Sequence, residues 1–299
     1  MAKLVIIESK EAEKMKNICK AALLLLSAIL LSGLTAAPAS ADANVQALFI
    51  NVRKADAALI TLGDARYLVD TGHKNSYEQL ARVLDAYGVS HLNGIILTHT
   101  DKDHVGGLKK LLKGGVTADR LYAGTFHTEK STEDHPVYEA SEKYGVPLTW
   151  LSAGDRIDAG GDCVFEVLGP VRHDPAKENN NSLVLRLVTP EGDMLLAGDM
   201  EEPEEADLLN AGVIRPAPVL KVGNHGEGDA TSKLFAMAVR PQWAIISTNT
   251  EDEPDTPDPK TIKLLTEAGA TIAVTQDAEV GILVTLRSGR VDVQRIDWQ

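Results

Sequence analysis

Short apolar or alternating runs recur along the chain and predict strands near residues 45–52, 57–62, 66–70, 94–99, 164–168, 182–188, 194–197, 219–222 and 243–248. Three more close the chain near 271–275, 281–286 and 291–296. Between them the period changes to that of a helix. Residues 76–87 place Leu80, Val83, Leu84 and Tyr87 on one face, and Gly88 supplies the stop. Helical segments are also predicted over 108–112, 203–210, 232–239 and 259–268, the 203–210 segment with acidic residues in its first turn, where the helix dipole favours them. Gly63-Asp64 between two strand-like runs marks a hairpin. Residues 114–150 are less periodic and read as strand pieces around an insertion that forms one wall of a cleft, with His127 and His135 as surface residues. Two strand-rich runs, each followed by strand–helix units, predict an α/β (α+β) protein of two similar halves, with sheets face to face and helices outside.

Composition modifies this picture mainly at the N-terminus. Residues 21–34 are an apolar run of 14 preceded by Lys14, Lys16 and Lys20 and followed by small residues ending in Ala39-Ser40-Ala41. The run is short for a bilayer span and fits a signal peptide over residues 1–41, cleaved after Ala41. Residues 42–299 are then one exported domain with no stable membrane span. The leader carries five Lys/Arg and three Asp/Glu, which leaves 25 basic against 40 acidic residues, a net charge of −15. Such acidity opposes sequence-independent nucleic-acid binding by the average surface while leaving room for a local basic cleft. Cys163 is the one cysteine after residue 41, so no internal disulfide forms; its strand-like setting predicts a buried, inert thiol.

The chemistry concentrates where the strand over 94–99 ends. Thr98-His99-Thr100-Asp101-Lys102-Asp103-His104-Val105-Gly106-Gly107 packs two imidazoles and two carboxylates into six residues. Open α/β sheets place ligands at such strand ends. Asp199 ends a second apolar run, and His225 follows a third. Imidazole and carboxylate without thiolate suit zinc or manganese, and six candidate ligands exceed the needs of one tetrahedral ion. A bridging carboxylate such as Asp199 lets two ions share them. A calcium loop starting at Asp101 fails, because Leu112 stands where a bidentate glutamate is required. Asp70, in Asp70-Thr71-Gly72, is expected to hold the His99 loop by hydrogen bonds, and Asp56 is expected to act similarly. Lys102, Lys109, Lys110 and Lys113 make either a phosphate-attracting rim or a solvated helix face.

This pattern resembles the His-x-His-x-Asp-His motif of the metallo-β-lactamase superfamily. Phe49–Asp56, Tyr67–Gly72, Asn179–Leu185, Leu195–Asp199 and Leu220–Gly226 resemble further motifs of the same family. The combination is most similar to the extracellular domain of ComEC-type DNA-uptake proteins, with a layout close to the phosphorylcholine esterases. The resemblance implies a four-layer αββα sandwich with two divalent ions, zinc or manganese, between its halves. It implies one ion on His99, Asp101 and Asp199, another on Asp103, His104, Asp199 and His225, and a metal-activated hydroxide as nucleophile. Asp103 and Asp199 are the carboxylates assigned to catalysis.

The chain also departs from the family. Asp101 replaces a histidine, and a harder oxygen ligand shifts preference toward manganese. Asn181-Ser182 stands where a middle histidine is usual; Asn181 is a weak ligand, a substrate contact or a structural cap. Pro257-Asp258-Pro259 replaces a Gly-His-Pro, leaving Asp258 as the group to supply a proton or touch phosphate. Asn224 replaces the first histidine of a His-His-Gly. The expected function is a secreted hydrolase of phosphodiesters, with single-stranded DNA, a phosphorylated wall polymer or a small diester as substrate. The competing readings are a lactone or β-lactam hydrolase and a non-catalytic metal-binding module.

Overall fold

A computed structural model describes residues 45–299. The expected signal segment, residues 1–41, lies outside the described residues. The chain opens with a meander, β1 (Val45–Ile50), β2 (Ala58–Leu62) and β3 (Ala65–Val69), whose β2–β3 turn is Gly63-Asp64 with Gly63 at φ +60°. Parallel crossovers follow. Helix α1 (Tyr77–Ala86) buries Leu80, Val83 and Leu84, and after the short β4 (His91–Leu92) the chain enters β5 (Gly94–Leu97) beside β3. Two short helices, α2 (Lys102–Val105) and α3 (Leu108–Lys113), lead to β6 (Thr117–Ala118), which pairs with β4, and to β7 (Leu121–Gly124) beside β5. Helix α4 (Pro136–Tyr144) then returns the chain to β8 (Leu148–Leu151).

The second half repeats the plan. Strands β9 (Arg156–Gly160), β10 (Cys163–Gly169), β11 (Val184–Val188) and β12 (Met194–Leu196) are antiparallel. Parallel strands β13 (Val219–Lys221), β14 (Trp243–Ile246) and β15 (Thr271–Val274) follow, connected through α5 (Glu202–Asn210), α6 (Lys233–Val239) and α7 (Pro259–Glu267). The final hairpin, β16 (Gly281–Arg287) and β17 (Arg290–Ile296), leaves this sheet and pairs with β1 of the first. The sheet orders are β17-β16-β1-β2-β3-β5-β7-β8 and β15-β14-β13-β12-β11-β10-β9.

Three apolar clusters account for four layers. Phe49, Ile60, Phe165, Leu185, Leu196 and Val284 fill the space between the sheets, and the Tyr67 and Phe165 rings meet edge to face with centroids 5.2 Å apart. Leu80, Leu84, Leu108 and Leu111 seat the first helices on the outside of one sheet. Leu208, Phe235, Val239 and Leu265 do the same on the other. The fold is thus the αββα sandwich expected from the sequence, and Cys163 is buried in the inter-sheet core. Among the described residues no helix is long and apolar enough to cross a membrane.

Two local expectations are corrected. Residues 114–150 contain helix α4, with Pro136 in its first turn and Gly145 at φ +69° after its end. His135 is buried rather than on the surface: its Nδ1 caps α4 by accepting the Val137 N–H, and its ring packs edge-on against Trp150. Burial and the neighbouring His127 push its pKa down to about 3, so the ring is neutral. Second, β9 precedes the segment where strand signals resume, and its strict alternation of exposed and buried positions is an edge-strand pattern.

The inter-sheet core sets a first expected outcome. Truncating Phe165 to Ala removes a fully buried ring between two rigid sheets and is expected to cost about 3–5 kcal/mol. Leu234→Ser, at a position 74% exposed on α6, is expected to stay within about 0.5 kcal/mol. Urea unfolding midpoints of the two variants against the parent check the contrast; similar shifts for both would contradict it.

Candidate metal centre

The C-terminal ends of the parallel strands from both sheets meet at one edge of the sandwich. From the first sheet, β3 runs into Asp70 and β5 into Thr98 and His99. From the second, β12 runs into Asp199, β13 into the His225 turn and β14 into Ser247. One ligand atom each from Asp103, His104, Asp199 and His225 lies within 4.8 Å of the others. Asp199 Oδ2 stands 3.0 Å from His104 Nε2, 3.2 Å from His225 Nε2 and 3.9 Å from His99 Nε2. Asp103 Oδ2 is 3.2 Å from His225 Nε2. Asp101 Oδ2 is 3.5 Å from His99 Nε2, and its side chain is 47% exposed, so it lies on the solvent side of the cluster. Three of the sequence-predicted ligands, His99, His104 and His225, therefore crowd round Asp199, while Asp103 joins the group through His225 and Asp101 through His99.

Backbone strain and hydrogen bonds hold these groups in place. Asp70, Asn224 and His225 adopt left-handed backbone at φ +60°, +41° and +52°, conformations that cost non-glycine residues energy and persist only where surroundings enforce them. Asp70 accepts hydrogen bonds from Thr98 N and Oγ1, both 2.8 Å, and from His104 Nδ1 at 2.8 Å. The His225 turn is secured by Nδ1 donating to Ser247 O at 2.8 Å. The carbonyl can only accept, so Nδ1 carries the proton and Nε2 is the atom offered to the cluster. The Asp199 N–H donates to Ser182 Oγ at 3.0 Å.

The donor set fits divalent metal. His99 Nε2, His104 Nε2 and Asp199 Oδ1 are buried and make no hydrogen bond, although buried polar atoms are ordinarily paired. His104 Nε2 lies 3.0 Å from Asp199 Oδ2 and still makes no hydrogen bond. Imidazole nitrogens backed by a carboxylate or carbonyl, with carboxylate oxygens alongside, are the ligand chemistry of zinc and manganese.

Lys221 is an unanticipated member of the site. It is buried at the end of β13, pairs with Asp56, donates to Gly198 O at 3.2 Å and lies 4.0 Å from Asp199 Oδ1. A second group able to hold a cation, Asp56, Asp70 and His104, is therefore served by an ammonium. Burial disfavours the Lys221 charge, but Asp56 and Asp199 outweigh it and raise its pKa. A lysine inside the apolar run Val219-Leu220-Lys221-Val222 was the available sequence signal, since a buried charge demands a partner. Glu178 was also missed. It accepts from Thr100 N and Oγ1 and from Thr128 N, tying the metal loop to the segment after β7.

Other expected positions have different neighbours. The Asn181 amide is occupied within its own loop, accepting from Asp174 N at 2.9 Å and donating to Asp174 O at 2.8 Å, the structural option among its three readings. Asp258 is the N-cap of α7 and accepts from Lys260 N. Lys109 pairs with Glu139, and Lys110 donates to Lys74 O, so these α3 cations are engaged by local partners.

The family described as Metallo-beta-lactamase superfamily matches residues 50–247. ComE operon protein 3 of Bacillus subtilis is 33% identical over 216 residues, covering 67% of this chain and 27% of that protein. Competence protein ComA of Neisseria gonorrhoeae is 28% identical over 191 residues, covering 63% and 25%. The chain thus spans about a quarter of the length of these curated relatives. Among solved structures, the metallo-beta-lactamase fold protein YhfI from Bacillus subtilis superposes with a TM-score of 0.53 at 14% identity, covering 82% of this chain and 99% of that one. Zn(2+)-bound PqqB from Methylobacterium extorquens gives 0.50 at 14% identity, covering 77% and 87%. Both likenesses concern the fold.

Two outcomes are expected from this geometry. Lys221→Met leaves Asp56 as a buried unpaired carboxylate and should lose about 3–5 kcal/mol, with Asp56→Asn in the same chain recovering part of it. Denaturation of both variants tests this, and a single variant as stable as the parent would refute it. The second concerns pH. Without metal, burial disfavours charge on His104 and His225, but facing carboxylates outweigh it, holding His104 well above 6.5 and His225 at about 9. Their stabilisation is complete below pH 6.5 and disappears as pH rises through about 9. Burial works against ionised Asp103 and Asp199, but the imidazolium neighbours depress both pKa values, so their contribution is present above 3.8 and lost as pH falls through the lowered values. The thermal midpoint of protein held in chelator should therefore peak between about pH 4 and 6.5. Metal replaces the protons, so loaded protein should not show the alkaline decline.

Proposed function

This chain belongs to the metallo-beta-lactamase superfamily, and on that footing we propose that it is a divalent-metal-dependent hydrolase of phosphodiester bonds acting outside the cytoplasm. Its substrate class is nucleic acid, single-stranded DNA included, or a phosphorylated polymer or small diester. The observation that carries this reading is the carboxylate-rich donor set, in which Asp101, Asp103 and Asp199 stand among His99, His104 and His225. Oxygen-rich sites suit the harder ions used in phosphoryl chemistry. Similarity to a protein named for competence, ComA of Neisseria gonorrhoeae, supports the nucleic-acid side of the proposal.

In this reading His99, Asp101 and Asp199 hold one ion, and Asp103, His104, Asp199 and His225 hold the other. Such ions, when bound, activate water near neutral pH and polarise a phosphoryl oxygen. The protein's own contribution is orientation. Asp70 fixes the Nδ1 side of His104, Ser247 fixes that of His225, and Ser182 holds the backbone from which Asp199 projects. Lys221 adds a fixed positive charge 4.0 Å from Asp199 Oδ1, which favours the ionised carboxylate.

The test uses purified protein loaded with zinc or manganese, offered bis-p-nitrophenyl phosphate, single-stranded DNA, nitrocefin and an acyl-lactone. Turnover of a phosphodiester that needs metal and falls about 1000-fold or more in Asp199→Asn is the expected result. Turnover confined to nitrocefin or lactone, no turnover at full metal loading, or diester hydrolysis indifferent to Asp199→Asn would each refute the proposal.

A further inference from the structure

The loop between β1 and β2 is held in an unfavourable shape. Arg53 lies at φ +68°, the left-handed region that glycine normally fills. Its guanidinium makes two 2.7 Å hydrogen bonds to Asp252 and one of 3.2 Å to Glu251. Asn51 fastens the loop from the other side, with Nδ2 donating to Ala278 O at 2.7 Å and Oδ1 accepting from Arg53 N at 3.2 Å. Strain of this kind persists where several contacts over-determine it. Its local effect is to aim the next residue.

Lys54 projects to the mouth of the cluster. Its Nζ is 3.9 Å from Asp103 Oδ2 and 3.3 Å from Glu227 Oε1, and its side chain is 24% exposed. Two carboxylates face this ammonium from one side, and solvent lies on the other. Lys221 is fully committed beneath the site to Asp56. Lys54, by contrast, pairs with a partly exposed carboxylate and opens to solvent, an arrangement that contributes little to stability and is easily exchanged for a better anion. With Asp103 among the residues that would hold a divalent cation, one side of the ammonium would be left for an incoming group.

We propose that Lys54 is the specificity-determining residue of this site, donating hydrogen bonds to an anionic phosphoryl oxygen at its mouth, and that the Arg53–Asp252 clamp aims it there. The ammonium transfers no proton; it binds charge. The substrate class rests on the phosphodiester reading above, whereas the anion-binding role stands by itself.

The experiment compares metal-loaded wild type, Lys54→Met and Lys54→Arg. Metal content is measured first, then inorganic phosphate binding by calorimetry at low and high salt, then kinetics with bis-p-nitrophenyl phosphate. Lys54→Met should keep its metal, bind phosphate about 10- to 100-fold more weakly with a flatter salt dependence, and lose a similar factor in kcat/KM for the diester. Lys54→Arg should recover most of the phosphate affinity. Equal phosphate affinity in wild type and Lys54→Met, no phosphate binding by loaded wild type, or loss of metal from Lys54→Met would overturn the inference. Weakened phosphate binding without diester turnover by wild type would uphold Lys54 and refute the phosphodiester reading instead.

Discussion

A carboxylate taken out of water must be surrounded by positive charge or lose its own, and Asp199 is buried with His104, His225 and Lys221 facing it. These partners come from both halves of the chain. His104 follows β5 of the first sheet, whereas His225 and Lys221 belong to the second. Asp199 is consequently the point at which electrostatics binds the sandwich together, supplementing an apolar core that has no directional preference. Alignment of the sheets, left-handed backbone at His225 and the hydrogen bonds that Asp70 accepts all serve to keep that meeting in register.

The vacated middle-histidine position shows how the chain adapts a shared plan. Asn181 closes its loop on Asp174, and Ser182 receives the Asp199 N–H. Leu183 N also donates to Thr98 O at 2.8 Å, joining this segment to the strand end that bears His99. This segment thus braces Asp199 and the strand end that bears His99 from behind. The donor set that remains is richer in oxygen for it.

Much of this was legible in the sequence because the governing interactions are local. Apolar runs ending in His99, Asp199 and Val222 announced strands delivering ligands, and the dense spacing around His104 announced their chemistry. The β16–β17 hairpin was legible as two strands, but its sheet was not, since pairing with β1 joins residues more than two hundred positions apart. His135 was misplaced because its burial depends on Trp150 and on α4, in a segment with weak periodicity. Lys54 carries no periodic signal; its importance comes from Arg53 strain and from Asp103 and Glu227, all set by tertiary structure. Lys221 was visible as an anomaly in an apolar run, yet its partner Asp56 was not.

The return of the last hairpin to the first sheet has a consequence for the order in which the protein is made. Until β16 is available, β1 is an uncovered edge whose apolar residues and backbone groups lack a neighbour. Asn51 likewise lacks Val280 and Ala278, the two carbonyls it donates to. A ribosome-bound chain that stops short of residue 280 therefore carries every proposed metal ligand but not the support for the loop bearing Lys54. The proposed ligands thus precede β16 in the chain, while the loop that bears Lys54 takes its shape only once the hairpin has closed on β1.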